Sequence, residues 1–167
     1  MSTDEVISEV MKDFAYYSNS GGGMTLTGGE AMVQFDFALD LLKKAKENGI
    51  HTAIETSGYA GSSEFEAILP YTDLFLYDYK HTGNELHKKY TGVDQTLILE
   101  NLAMLHDKGA EILVRCPIIH GINDTNDHLS NIEKLRDKFP RIRDIEILKY
   151  HDYGRSKYAK LGRRYLL

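Results

Sequence analysis

Four apolar runs in this chain are followed directly by polar residues, and a fifth encloses one. Glu30 comes after Met24-Thr25-Leu26 and the loop Thr27-Gly28-Gly29, and Glu55 follows residues 50–54. Asp78 and Lys80 follow residues 74–77, and His151 follows residues 145–148. Arg115 lies inside the run 111–119, two residues before Pro117. A glycine pair permits positive φ or lets a ligand touch the main chain. An acid directly behind it can hold a charged or amine-bearing ligand. A lysine beside an aspartate at a strand end also suits a Schiff-base lyase or aldolase, with Lys80 as the nucleophilic amine. Each residue has a plainer reading as well: Glu30 and Glu55 suit helix caps, Asp78 with Lys80 a surface ion pair, His151 a loop histidine. Five strands supplying one rim is a pattern those separate readings do not explain.

The elements that carry these residues can be read in order. Ser2 and Glu5 have capping-box spacing and open an amphipathic helix to about Tyr17, with Val6, Val10, Met11 and Phe14 on one face. A strand at 24–26 and the glycine loop precede a helix over 32–48, with Phe35, Leu39, Leu42 and Ala45 spaced for burial and Gly49 as its stop. A strand over 50–54, a short helix over 63–69 and a strand over 74–77 follow. Asp94 is placed to cap a helix carrying Leu97, Ile98, Leu102 and Leu105. The strand over 111–119, a helix opened by Asp124-Thr125 and a last strand over 145–148 lead to a tail that is polar, then apolar. One helix, four β-α units and a closing strand indicate an α/β protein with a mostly parallel sheet. An open or closed barrel layer is the natural arrangement, and a doubly wound sheet the other option.

Composition bounds the function. With 167 residues the chain reads as a single domain, 1–167, long enough for a full core. Its net charge of −5 and the lack of a basic stripe give nucleic-acid binding no support. No apolar run suits a membrane span and no signal-peptide core is present, so a cytoplasmic location is expected. The one cysteine, Cys116, reads as a core residue; it can form no internal disulfide and no cysteine-ligated cluster.

GGGMTLTGGE, HTAIETSGY, DLFLYDYKH, VRCPIIHGIND and IEILKYHDYGRSKYAKLG follow one another along nearly the whole chain. In that order they resemble the motifs of glycyl-radical-enzyme activating enzymes. This is the radical S-adenosylmethionine (SAM) family whose best-known member activates pyruvate formate-lyase. The resemblance implies a partial (β/α)6 TIM-like barrel, reductive cleavage of SAM by a four-iron four-sulfur cluster, and removal of a hydrogen from a backbone glycine of a partner enzyme. It implies a pyruvate formate-lyase-like partner and flavodoxin or ferredoxin as electron donor. Carried over residue by residue, Thr27, Gly28, Gly29 and Glu30 match the loop that holds the amino group of the methionine half. Lys80 resembles the cation facing the methionine carboxylate, with Arg115 assisting there or at the ribose. Asp78 resembles an acceptor for the ligand's polar edge, and His151 a residue near the nucleoside. Glu55 stands where the pyruvate formate-lyase activase has aspartate, and with Thr56 and Asp78 it borders a monovalent-cation site in the family.

The family's cluster is held by three cysteines spaced C-x3-C-x2-C, after a first strand, and this chain has neither motif. The expectation is therefore an N-terminally truncated portion with the first strand missing and an edge left at residues 24–26. The cluster belongs to the full-length protein only, and this chain alone is expected to be inactive. A non-catalytic SAM- or nucleotide-binding module is the other reading in this direction.

Overall fold

The structure, a computed structural model, describes residues 1–151 and 155–164. Ser2 opens the first helix as its spacing requires. Its hydroxyl accepts from the Glu5 amide at 3.2 Å, and the Glu5 carboxylate accepts from the Ser2 amide at 2.7 Å. The expected single helix is two, α1 (Thr3–Val10) and α2 (Phe14–Ser20), joined by a 3-10 turn. Next come β1 (Gly23–Leu26), a 3-10 turn over Ala31–Gln34, and α3 (Phe35–Glu47). The buried face of α3 is wider than its expected stripe, taking in Ala38 and Leu41 beside Leu42 and Ala45.

The remaining elements alternate: β2 (His51–Thr56), α4 (Ser62–Ile68), β3 (Leu74–Asp78), α5 (Asn84–Thr91), α6 (Thr96–Asp107), β4 (Ile112–Ile118), α7 (Asn126–Lys138), β5 (Asp144–Lys149) and α8 (Arg155–Lys160). Two local expectations need correction. The sequence reading has no helix at α5, whose one buried residue is His87 rather than an apolar stripe. Asp94 does not cap α6; it pairs with Lys88 at 3.3 Å, and Gln95 is the cap position.

The five strands are parallel and lie in chain order, β1-β2-β3-β4-β5, with β1 and β5 unpaired to each other. Strand order without reversal, joined by crossovers of one hand, places the helices on one face of the sheet and leaves the other open. A doubly wound sheet needs a reversal in strand order. The fold is thus an open, partial α/β barrel. Burial follows from this: Phe75, Tyr77, Ile112, Val114 and Cys116 are at most 1% exposed beneath the helices. Leu76, Asp78, Leu113 and Arg115, on the alternate face, are only half-buried. Leu42, Phe65, Ile68, Leu102 and Leu105 fill the helix-covered side, each contributing about 1.5–3 kcal/mol by burial. A second cluster of Ile7, Met24, Leu41, Ala45 and Ile50 fastens α1 and β1 to α3. No helix among the described residues is long and apolar enough to cross a membrane.

One buried histidine ties stability to pH near neutrality. His128, wholly buried on α7, stacks on Tyr79 at 5.6 Å and shares a hydrogen bond with Thr82. Burial, and then the nearby His81, push its pKa down to about 4. A depressed histidine pKa means the folded state holds the neutral ring, so this contribution is complete above the unfolded value of about 6.5 and is lost as pH falls toward 4. The melting temperature is expected to drop across that window, and His128→Gln to flatten the drop. A profile with the same slope in both proteins would contradict this.

Candidate functional site

The C-terminal ends of the strands form a rim on which Glu55, Asp78 with Lys80, and Arg115 make one network and Glu30 centres a second. Glu30 stands at the entry to the Ala31–Gln34 turn and caps it, accepting from the Met32 amide at 3.3 Å. Its carboxylate also takes the Thr56 hydroxyl at 2.9 Å, the Ser57 amide at 2.8 Å and the Ser57 hydroxyl at 2.6 Å. Four donors fill the acceptor positions of one carboxylate. Glu30 therefore stitches the loop after β1 to the loop after β2, and its side chain is engaged within the protein.

Glycine is required at two neighbouring places for different reasons. Gly58, at φ +77°, lies on Tyr77, and a Cβ there would sit 2.0 Å from the Tyr77 hydroxyl oxygen. Asn101 on α6 fixes this loop by donating to the Gly58 and Ala60 carbonyls, both at 2.9 Å. Gly28 has φ +148°, which L side chains rarely adopt. Gly29 needs no such conformation, and a Cβ there would meet nothing within 4 Å. The protein leaves open space against the main chain at this point.

Behind the loop, Arg115 spans three strands. The register sets it opposite Asp78, and sets Glu55 opposite Leu76, so all three side chains share the open face. Its guanidinium reaches Glu55 at 2.5 Å and Asp78 at 3.0 Å. Thr27 donates to the other Glu55 oxygen at 2.9 Å, and Lys80 faces the other Asp78 oxygen at 3.0 Å. Burial works to raise the Glu55 pKa, but Arg115 and Thr27 outweigh it and hold the carboxyl below its usual range. Burial likewise opposes the charge on Arg115, and the two carboxylates overrule it and raise its pKa. Register also sets Glu146 beside Arg115 on β5.

Glu55, Thr56 and Asp78 do not assemble as three free oxygen donors. Thr56 is turned to Glu30 and to the Gly58 amide, 3.0 Å away, while Arg115 lies between the other two. Lys80 is positioned through its backbone. Asn123 donates to the Lys80 carbonyl at 2.8 Å and the Pro117 carbonyl at 2.7 Å, and accepts from the Ile119 amide at 2.7 Å. No spacing in the sequence marks Ser57, Asn101 or Asn123 as site residues. Ser57 and Asn123 lie within its motifs, but their partners are far away along the chain.

A cleft of 460 Å³ opens on the rim between Gly29, Glu30, Ser57, Tyr59, Lys80 and Tyr90. That is within the size range of small-molecule sites. A larger cleft of 620 Å³ lies by α6 and α7, lined by residues such as Glu100, Asn131 and Lys134. It contains none of the rim residues, so the chemistry belongs to the smaller one. His151 is exposed and follows β5, at the opposite end of the sheet from the glycine loop. Residues 152–154 of the tail motif lie outside the described residues.

The iron-sulfur cluster has no ligand set here. Cys116 is the one cysteine, wholly buried on the helix-covered face of β4, and burial pushes its thiol up to about 12. It is a core thiol and cannot ligate a cluster. The cleft, with open main chain at Gly29 and a cation opposite, does fit a ligand such as SAM.

The model of the radical SAM superfamily matches residues 1–134. The chain belongs to the radical SAM superfamily. Its relatives there are activating enzymes of glycyl radical enzymes. The chain is 42% identical over 168 residues to the (2S)-3-sulfopropanediol sulfolyase activating enzyme of Bilophila wadsworthia (strain 3_1_6), covering 99% of this chain and 55% of that protein. It is 34% identical to the pyruvate formate-lyase-activating enzyme of Clostridium pasteurianum, covering 100% of the chain and 70% of that protein. A crystallised domain of pyruvate-formate lyase-activating enzyme from Bacteroides vulgatus ATCC 8482 superposes with a TM-score of 0.72 at 29% identity, covering 78% of this chain and 82% of that one. The chain spans about half the length of the first curated relatives it matches. Radical SAM proteins use SAM and a four-iron four-sulfur cluster.

The two glycines separate stability from ligand space. Gly58→Ala is expected to cost about 3 kcal/mol in urea unfolding, from the clash with Tyr77. Gly29→Ala should stay within about 0.5 kcal/mol of the unaltered chain. Similar losses for both would contradict this distinction.

Proposed function

We propose that this chain supplies the SAM-binding barrel of an activating enzyme that places a radical on a backbone glycine of a partner glycyl radical enzyme. The observation that carries the reading is the open main chain at Gly29, set across a cleft from Lys80. Peptide carbonyls of Gly28 and Gly29 would accept from the ligand's ammonium group, with the Glu30 charge close behind them. Lys80 would face the ligand carboxylate, its position fixed by Asp78 at the side chain and by Asn123 at the main chain. Asp78 also borders the ligand's polar edge. Glu55, Thr27 and Arg115 hold Asp78 in place. His151 is assigned to the nucleoside end.

When bound, SAM supplies a sulfonium group that is cleaved reductively in the superfamily. The cluster that delivers the electron has no ligands among these residues, so they bind and orient SAM and do not reduce it. The partner we infer is of the pyruvate formate-lyase type, with flavodoxin or ferredoxin as electron donor, in the cytoplasm, and residues 1–167 acting as one unit. A Schiff-base role for Lys80 requires a neutral amine, and the ion pair with Asp78 favours the charge-pairing role instead.

Calorimetry with SAM tests the reading. Weak saturable binding is expected, reduced at least about tenfold, or about 1.4 kcal/mol, by Gly29→Ala and by Lys80→Met. Absence of saturable binding, or affinity unchanged in both variants, would sink it.

A further inference from the structure

The rim holds two carboxylates that would suit a metal cation, and the protein has placed its own cation between them. Glu55 and Asp78 offer four oxygens. Arg115 takes one from each, at 2.5 Å and 3.0 Å, with its Nε adding a longer contact of 3.3 Å to Asp78. Thr27 takes the second Glu55 oxygen and Lys80 the second Asp78 oxygen. The Thr56 hydroxyl is used by Glu30 and Gly58. Within this group of four charged side chains, two carboxylates face two cations, so their charges balance.

We propose that Arg115 serves as the internal counter-cation of this rim, so that Glu55 and Asp78 take no monovalent metal ion. Hard cations bind where oxygen lone pairs and uncompensated negative charge coincide. Here a guanidinium already occupies that position, and a second cation would meet its repulsion. A planar fork also does what a spherical ion cannot: it joins β2, β3 and β4 through directed hydrogen bonds and fixes the orientation of both carboxylates. The reach of glutamate is part of the device. Residue 55 lies beside Leu76 in register, one side-chain layer below the Asp78–Arg115 pair, and its extra methylene carries the carboxylate up to the guanidinium. This inference stands apart from the assignment of SAM to the cleft, since it concerns only the carboxylates and their counter-ion.

The test measures potassium dependence of melting in the full chain without SAM, at constant ionic strength balanced by tetramethylammonium chloride. Thallium-205 resonance titration serves as a direct probe of a bound monovalent ion. The melting temperature of the unaltered chain is expected to be independent of potassium, and the thallium resonance free of saturable shift. Arg115→Gln removes the cation, and Glu55→Asp withdraws the carboxylate from it. Each should gain a saturable rise in melting temperature with potassium and a saturable thallium shift. Should Arg115→Gln fail to fold, Glu55→Asp decides. Saturable potassium or thallium binding by the unaltered chain overturns the proposal, as does a folded Glu55→Asp that gains neither response.

Discussion

The guanidinium of Arg115, held between Glu55 and Asp78, is the contact on which the rim depends. Three adjacent strands each contribute one of these side chains, and parallel pairing in chain order brings them to the same face, with Glu55 one layer below the Asp78–Arg115 pair. Arginine suits the position because its donors are fixed in one plane and can serve two acceptors at once. Loss of that cation would leave two half-buried carboxylates side by side, a larger penalty than the loss of either hydrogen bond. The ion pair also extends outward, since Asp78 uses its free oxygen to hold Lys80 at the mouth of the cleft.

A second stitch runs parallel to the first and is made without ionic partners. Glu30 is held by two amides and two hydroxyls, which tie the glycine loop to the loop after β2. The two stitches divide the labour. Arginine fixes the floor of the site, while Glu30 fixes the wall that presents Gly28 and Gly29. Asn101 and Asn123, each donating to two backbone carbonyls, brace the same loops from the helix side and the end of β4. The site is therefore positioned mainly by hydrogen bonds between loops, with the apolar core supplying the rigid sheet beneath.

Much of this was legible in the sequence. Strands with few polar residues, alternating with helices stopped by Gly49 and Gly109, indicated a parallel sheet, and the capping box at Ser2 formed as its spacing required. The polar strand ends pointed to one rim because parallel strands deliver their C-terminal residues to one side. Other features were hidden for physical reasons. Helix α5 has a histidine at its buried position, so periodicity of apolar residues gives no signal there. Asp94 has the chemistry of a cap but finds Lys88 instead. The engagement of Glu30 by Ser57, and of Lys80 by Asn123, depends on pairings across 27 and 43 residues that no local spacing encodes. The role of Arg115 could be suspected from its place inside an apolar strand, but its two partners emerge only from the register.

The most direct test of this account is a crystal structure of the chain grown with SAM. The account predicts the ligand on the rim, with its amino group against the Gly28–Gly29 main chain and its carboxylate within hydrogen-bonding distance of Lys80 Nζ. An ordered ligand in the cleft beside α6 and α7, or an empty rim in crystals at saturating SAM, would contradict it.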